Sequence, residues 1–433
     1  MTDYQLFCVL AALALIISLL SSRFHALQET IAITGLAMLL SLIILVVGKW
    51  FELDIHIKTI SVLQRLDFQA LLLNGMLGFL LFAGALQIRL KVLASQKWEI
   101  LCLALFGTVI STLTVAALCF YLMPLLGLAL PWSYCLLFGA LISPTDPIAV
   151  LAILKKLGAP EDIAIQVEGE SLFNDGIGLV LFVAVSQLAF SAEALSLADV
   201  GALFFHEAVG GIAYGLALAF ALHQLMKLTD EETQRLLITL VVPTAGYVMA
   251  EKLSVSGPLA MVAAGIVLGN FTVPKCFGVT GRILLQRFWG LLEHFFNSLL
   301  FLLLGLLLLL THLDMQLWWF VLLSIPVVLL ARCVSVYLPY LGFRRMRQYS
   351  QGAEGILIWG GLKGGLALAM AMSIPAGIVL TPELELRDLL LVMTYAVVVF
   401  SIMVQGSTVS RLIRRSREAA EAGKAAAEST QAV

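Results

Sequence analysis

The chain has 433 residues, 61% of them hydrophobic and only 12% charged, with a formal net charge of −2. An average soluble protein carries about 25% charged residues, so this composition excludes a chain bathed in water on all sides. The near-zero charge gives no case for a nucleic-acid partner. Apolar runs reach the roughly 20 residues that cross a bilayer as a helix, and they are continuous rather than alternating, which favours helices over barrel strands.

In chain order the runs predict thirteen spans, near 4–21, 28–48, 69–88, 98–122, 133–154, 164–190, 202–226, 236–251, 257–272, 288–311, 316–341, 353–375 and 388–410. The start, "MTDYQLF", has no basic region or cleavage site, so the first run is expected to be retained as a helix. Six cysteines lie scattered without CxxC or Cys/His spacing, which speaks against disulfides and zinc. No organic cofactor motif is present, so none is expected.

Lys and Arg fall in alternate loops. One set holds Arg23, Arg89, Lys91, Lys97, Lys155, Lys156, Lys227, Arg235, Lys275, Arg282, Arg287, Arg344, Arg345 and Arg347, and ends with Arg411, Arg414, Arg415, Arg417 and Lys424. The other holds only Lys49, Lys58, Arg65, Lys252 and Arg387. By the positive-inside bias, the N-terminus is outside and the C-terminus cytoplasmic. Arg332 and Lys363 remain within predicted spans, and an intramembrane charge is by default a functional hypothesis. The tail at 411–433 is basic, then rich in Ala and Glu: either a short helix on anionic lipid or a frayed end.

An odd count allows two inverted six-helix repeats around a linking helix. Equivalent positions then carry matched helix breakers. The fifth span holds Pro144 and Pro147 around Thr145-Asp146, and the twelfth holds Gly360, Gly361, Gly364 and Gly365 around Lys363. Unwound backbone at membrane depth persists only where protein or a watery cavity satisfies it, so the two breaks point to a binding site near the midplane. The bland alternative is that Pro and Gly merely kink two helices.

On the sixth span, "ESLFNDG" puts Ser171 one turn from Asp175 and Glu170 one turn from Asn174. Helix–helix glue needs only Ser, Thr or Asn, and this stripe has two acids besides. Arg332 requires a counter-ion, with Glu170 and Asp146 as rival partners. An unpaired carboxylate here has two ways to be neutral: take a proton or hold a cation. Sodium and lithium suit oxygen ligands, and Asp175, Ser171, Asp146, a freed carbonyl near Thr145 and water would supply them. Competition of proton and metal ion for one carboxylate is all that coupled exchange requires.

"SPTDPIAV", "EGESLFNDG", "SGPLAMVAAGIVLGN", "FWGLLEHFFNSLLFLLLGL", "RCVSVY", "WGGLKGG" and "VQGSTV" together resemble the bacterial NhaP-type sodium/proton antiporters, relatives of the animal sodium/hydrogen exchangers. The resemblance runs over nearly the whole chain. It implies an all-α polytopic membrane protein of the bacterial inner membrane, with two inverted repeats and crossed unwound helices 5 and 12. It further implies a homodimer in lipid that takes no organic substrate. A transmembrane antiporter domain would fill 1–410, with core helices at 98–190 and 316–410 moving against dimerisation helices at 1–88 and 202–311. Residue by residue it makes Asp175 the ion and proton carrier, places Thr145, Asp146 and Ser171 around the ion, and makes Glu170–Arg332 a stabilising pair. Asn174 stands where electrogenic relatives have Asp, which implies one-for-one exchange. Two positions depart from the family pattern. Lys363 replaces the usual Arg, and buried Lys gives up its proton more readily than Arg, so it is either a second titrating group or a fixed charge beside the break. Ala83 stands where many relatives have an acid.

Glu293 and Asn297 share a face of the tenth span and read as packing, as does His294. Gly210, Gly211 and Gly215 suit close helix packing. The leading function is Na⁺ or Li⁺ exchange for H⁺, with K⁺/H⁺ exchange by the same mechanism as the alternative. An intramembrane aspartyl protease would use Asp146 and Asp175 as a dyad but lacks a GxGD-like stretch, and a cation channel would need filter loops or charge rings.

Overall fold

A computed structural model describes residues 3–23, 28–50, 67–191, 197–310, 317–343, 352–382 and 384–431. Lys58, Arg65, Arg344, Arg345 and Arg347 of the loop-charge pattern lie outside the described residues. The described residues are almost entirely helical, and ten helices among them are long and apolar enough to cross a membrane. They are α1 (Asp3–Ser21), α2 (Glu29–Trp50), α3 (Ala70–Gln87), α4 (Lys97–Leu126), α7 (Glu161–Phe190), α8 (Ala198–Met226), α11 (Gly257–Cys276), α12 (Val279–Leu309), α13 (Trp318–Phe343) and α16 (Leu386–Glu418).

The remaining expected spans take other forms. The run at 133–154 is two half-helices, α5 (Trp132–Ile142) and α6 (Ile148–Leu157). That at 353–375 is likewise α14 (Ala353–Trp359) and α15 (Gly365–Met372). At 236–251, α9 (Glu232–Thr239) and α10 (Tyr247–Lys252) are joined through a π-helical turn, Val242–Gly246. Pro243 lies in that turn and has no N–H to continue an α-helical ladder. A small hairpin absent from the sequence reading pairs Val379–Thr381 with Leu384–Glu385 after the second broken helix.

Two groups of helices result. In one, α5, α7, α13 and α16 pack around the half-helices α14 and α15, and α4 lies against α5, α7 and α13. In the other, α11 lies against α3 and α8, and α12 against α1, α2 and α3. The expected close packing of α8 is present. Gly211 and Gly215 let α8 approach α11 so closely that a Cβ at Gly215 would overlap the Ala260 backbone. Trp289 of α12 is fully buried, donates its indole N–H to Thr239 Oγ1 at 3.0 Å and meets Phe82 of α3 edge-on. Outward faces keep large apolar side chains such as Leu19, Phe205, Phe220 and Trp319 exposed, a surface that water disfavours and lipid does not.

Candidate ion-binding site at two crossed breaks

Residues 143–147 and 360–364 are both unwound. Proline explains the first, since Pro144 and Pro147 lack a donor and clash with the preceding turn. Glycine explains the second, being a poor helix former that lets another backbone come close. A break inside a membrane protein frees peptide groups that lipid cannot satisfy, and here each break satisfies the other. Asp146 N donates to Leu362 O at 2.8 Å, tying the two unwound segments directly. Lys363 Nζ donates to Ser143 O and Pro144 O, at 2.8 and 3.1 Å, capping the carbonyl end of α5. Asp146 Oδ1 accepts from Ile148 N at 3.0 Å, capping the amide end of α6. These charges match the dipole of the helix end that each one meets.

Gly364 is required at this crossing. Any Cβ there would run into the Asp146 carboxylate, so only glycine lets α15 begin beside that acid.

Helix α7 supplies the next layer. Asn174 donates through Nδ2 to Thr145 Oγ1 at 2.9 Å and accepts from Thr145 N at 3.3 Å. Thr145 Oγ1 and Ser171 Oγ share a further bond of 3.0 Å. Thr145, Ser171 and Asn174 thus form one buried polar knot that fixes the first break.

Arg332 resolves the choice left open by the sequence in favour of Glu170. Its guanidinium meets both carboxylate oxygens, Nη1 to Oε1 and Nη2 to Oε2, the latter at 3.0 Å. Nε and Nη2 also donate to Leu357 O near the carbonyl end of α14. Both residues are buried, and Asp146 is not Arg332's partner.

A cavity of about 350 Å³ opens between the two helix groups. Its walls include Thr145, Asp146 and Asp175, with Gly364 and Gly365 at the start of α15. Neither Asp146 nor Asp175 has an ion-pair partner among the described residues, and both stay partly accessible while their polar neighbours are buried. Ser171 and Asn174 do not line this cavity and lie one layer behind it. Ala83 of α3 is buried, and its neighbour Gly84 reaches the wall.

Several features escaped the sequence reading. Glu293 and Asn297, read there as packing residues, line the cavity together with Glu168, Lys155 and Gln87. Gln87 Nε2 donates to Glu293 Oε2 at 3.0 Å. His294 is not a packing histidine: it is half exposed and faces Glu29 Oε1 at 3.4 Å. Ser401 and Gln405 complete the second break, Ser401 Oγ accepting from Lys363 N at 2.9 Å and Gln405 Nε2 donating to Trp359 O at 3.1 Å. The "VQGSTV" stretch contained Gln405, but only the fold shows what it holds.

Residues 8–415 match the family described as sodium/hydrogen exchanger, transmembrane. The chain belongs to that family. It is 38% identical over 411 residues to the Na⁺/H⁺ antiporter NhaP of Pseudomonas aeruginosa, covering 93% of this chain and 95% of that one. It is 33% identical over 352 residues to the Na⁺/H⁺ antiporter NhaH of Halobacillus aidingensis, covering 80% and 83%. The structure of the sodium proton antiporter MjNhaP1 from Methanocaldococcus jannaschii shares the fold, with a TM-score of 0.75 at 20% identity over 95% of this chain and 97% of that one. This exchanger-family chain is therefore a multi-pass membrane transporter and not an enzyme, which disposes of the protease reading.

Proposed function

We propose that this chain is a secondary active antiporter that exchanges Na⁺ or Li⁺ for H⁺, one for one, with both ions competing for Asp175. The supporting observation is the cavity that reaches Asp175 and Asp146 while every other charge at the crossing has a protein partner. A lone carboxylate in a membrane interior is costly as an anion. It becomes neutral by taking a proton or by holding a monovalent cation, and the two occupants exclude one another. Asp146, Asp175 and Thr145 offer oxygens to the cation from the cavity wall, and Ser171 and Asn174 hold Thr145 in place. The names of the relatives support sodium as the cargo.

Asn174, a neutral amide where electrogenic relatives carry an acid, supports one-for-one exchange. Its amide is used at both ends, donating to the Thr145 hydroxyl and accepting from the Thr145 amide. An ionised acid there could only accept, which would oblige the Thr145 hydroxyl to donate to it, and it would add a charge to neutralise.

Gln87, Lys155, Glu168 and Glu293 line the cavity, and Gln87 and Lys155 adjoin the basic loops expected to face the cytoplasm. We take this arrangement as inward-facing, with the N-terminus outside and the protein a homodimer in the bacterial inner membrane. Access alternates when the group built on α4, α5, α7, α13 and α16 moves against the group containing α1, α2, α3, α8, α11 and α12. The test is proton flux in everted vesicles on addition of Na⁺, Li⁺ or K⁺. The wild type should dissipate a preset pH gradient without needing a membrane potential, and Asp175→Asn should abolish that response while remaining folded. Undiminished sodium-driven proton movement in Asp175→Asn would remove Asp175 from this role.

A further inference from the structure

We propose that Asn297 is a cation ligand supplied from the wall opposite the broken helices, so that the transported ion bridges the two helix groups. The proposal rests on the antiporter reading and deepens it.

Two helix faces line the cavity in register. From α7 come Glu168, Leu172 and Asp175; from α12 come Glu293, Asn297 and Leu300. Both sets have i, i+4, i+7 spacing, which places three side chains along one stripe about 10 Å long. Each stripe thus begins with an acid, Glu168 or Glu293, and carries a second polar residue further along, Asp175 or Asn297, on the wall of the same cavity. Contacts beyond Asn297 bring its stripe to the crossing: Leu300 abuts Gly365, and the adjacent Gly364 abuts the Asp146 carboxylate.

Asn297 is 8% exposed, and its amide oxygen is buried with no hydrogen-bond partner among the described residues. Buried side-chain acceptors are nearly always satisfied, and an orphan in a native structure asks for an explanation such as a bound ion. The residue is held in the wall of the cavity whose other wall carries two unpaired carboxylates. A terminal amide torsion is broad and roughly two-fold, so the oxygen can be presented to the cavity without backbone movement.

The chemistry fits an alkali cation and not a proton. A neutral amide oxygen is a hard ligand of the kind such ions accept, and it leaves the charge balance of one cation on one carboxylate unchanged. A protonated Asp175 needs no ligand from the opposite wall. Asn297 therefore distinguishes the two cargoes: it stabilises the cation-loaded site and is indifferent to the proton-loaded one. A ligand from this wall also makes closure around the cation depend on the cation being present.

The experiment measures apparent affinity for Na⁺, Li⁺ and K⁺ in everted vesicles, with the pH profile at saturating Na⁺, for the wild type, Asn297→Leu and Asn297→Asp. Purified variants are checked for monodispersity and thermal unfolding. Asn297→Leu keeps the branched shape, at a larger volume, and removes the oxygen. It should weaken apparent Na⁺ affinity roughly tenfold, the order expected for a lost bond to a charged group, and change the ratio among the three cations. The pH profile at saturating Na⁺ should stay in place. Asn297→Asp keeps the shape and adds charge, and should shift Na⁺ affinity the opposite way at alkaline pH. Should the Leu variant fail to fold, the Asp variant alone decides. Cation affinities and ratios equal to wild type in a folded variant would overturn the ligand assignment. A wild type that moves no protons on adding any of the cations would instead sink the antiporter reading beneath it.

Discussion

At residues 143–147 the chain is interrupted by proline and carries an acid; at 360–364 it is interrupted by glycine and carries a base. The two breaks touch through Asp146 N and Leu362 O, yet their charged side chains have different fates. Lys363 spends its donors on Ser143 O and Pro144 O and does not reach the main cavity. Asp146 gives one oxygen to Ile148 N and lines that cavity. The basic break is sealed by protein, with Arg332, Ser401 and Gln405 each tied to backbone beside it. The acidic break is open. Two charged breaks thus need not do matched work: one steadies the crossing, and the other lines the open cavity.

On this division, substitutions at the sealed break should cost stability, and substitutions at the open one should cost transport. The largest stability effect belongs to Arg332→Ala. It strands the buried Glu170 carboxylate and uncaps Leu357 O, and breaking one side of a buried ion pair costs about 3–5 kcal/mol. Thermal unfolding in detergent should show a marked fall, or yield should collapse, before any change in ion preference. A well-folded Arg332→Ala protein with shifted sodium affinity would break the comparison, because the sealed side would then be part of the ion site.

Lys363→Met comes next. It leaves two buried carbonyls, Ser143 O and Pro144 O, without their donor, and an unsatisfied buried acceptor costs about 1–3 kcal/mol. Lys363→Arg keeps donors and charge, so it should retain most of the stability that Met loses. The same thermal measurement on both variants separates a capping role from a transported proton. Equal stability of Met and wild type, together with a displaced pH profile, would make Lys363 a titrating partner of Asp175 instead of a cap.

Both breaks were legible in the sequence because Pro and Gly act locally: Pro144, Pro147 and the glycines around Lys363 disrupt a helix wherever it packs. The stripe on α7 was legible for the same reason, since helical spacing alone sets Ser171 with Asp175. Long-range choices were not. Arg332 lies 162 residues from Glu170, and no local rule prefers that acid to Asp146. The face of α12 was misjudged because periodicity places Glu293 and Asn297 together without saying which neighbour they meet. The half-exposed His294 beside Glu29 shows the same gap. Ser171 and Asn174 were found for their polarity, and only the fold shows that their bonds go to Thr145, one layer behind the cavity wall.

Asp146→Asn carries the smallest expected stability effect and the sharpest test. The variant keeps an oxygen able to accept from Ile148 N, and Asn and Asp are about equally good at capping a helix N-terminus. The Asp146 N to Leu362 O bond is a backbone bond and survives. Stability should therefore change by less than about 1 kcal/mol. What the substitution removes is the second carboxyl oxygen, which an amide nitrogen replaces on the cavity wall, and that nitrogen cannot ligate a cation. Apparent Na⁺ affinity should weaken roughly tenfold or more, on the scale of a lost charge-assisted contact, with proton binding at Asp175 retained. A stability loss equal to that of Lys363→Met, with affinity unchanged, would show that the two breaks are alike after all and that Asp146 serves only as the counterpart of Lys363.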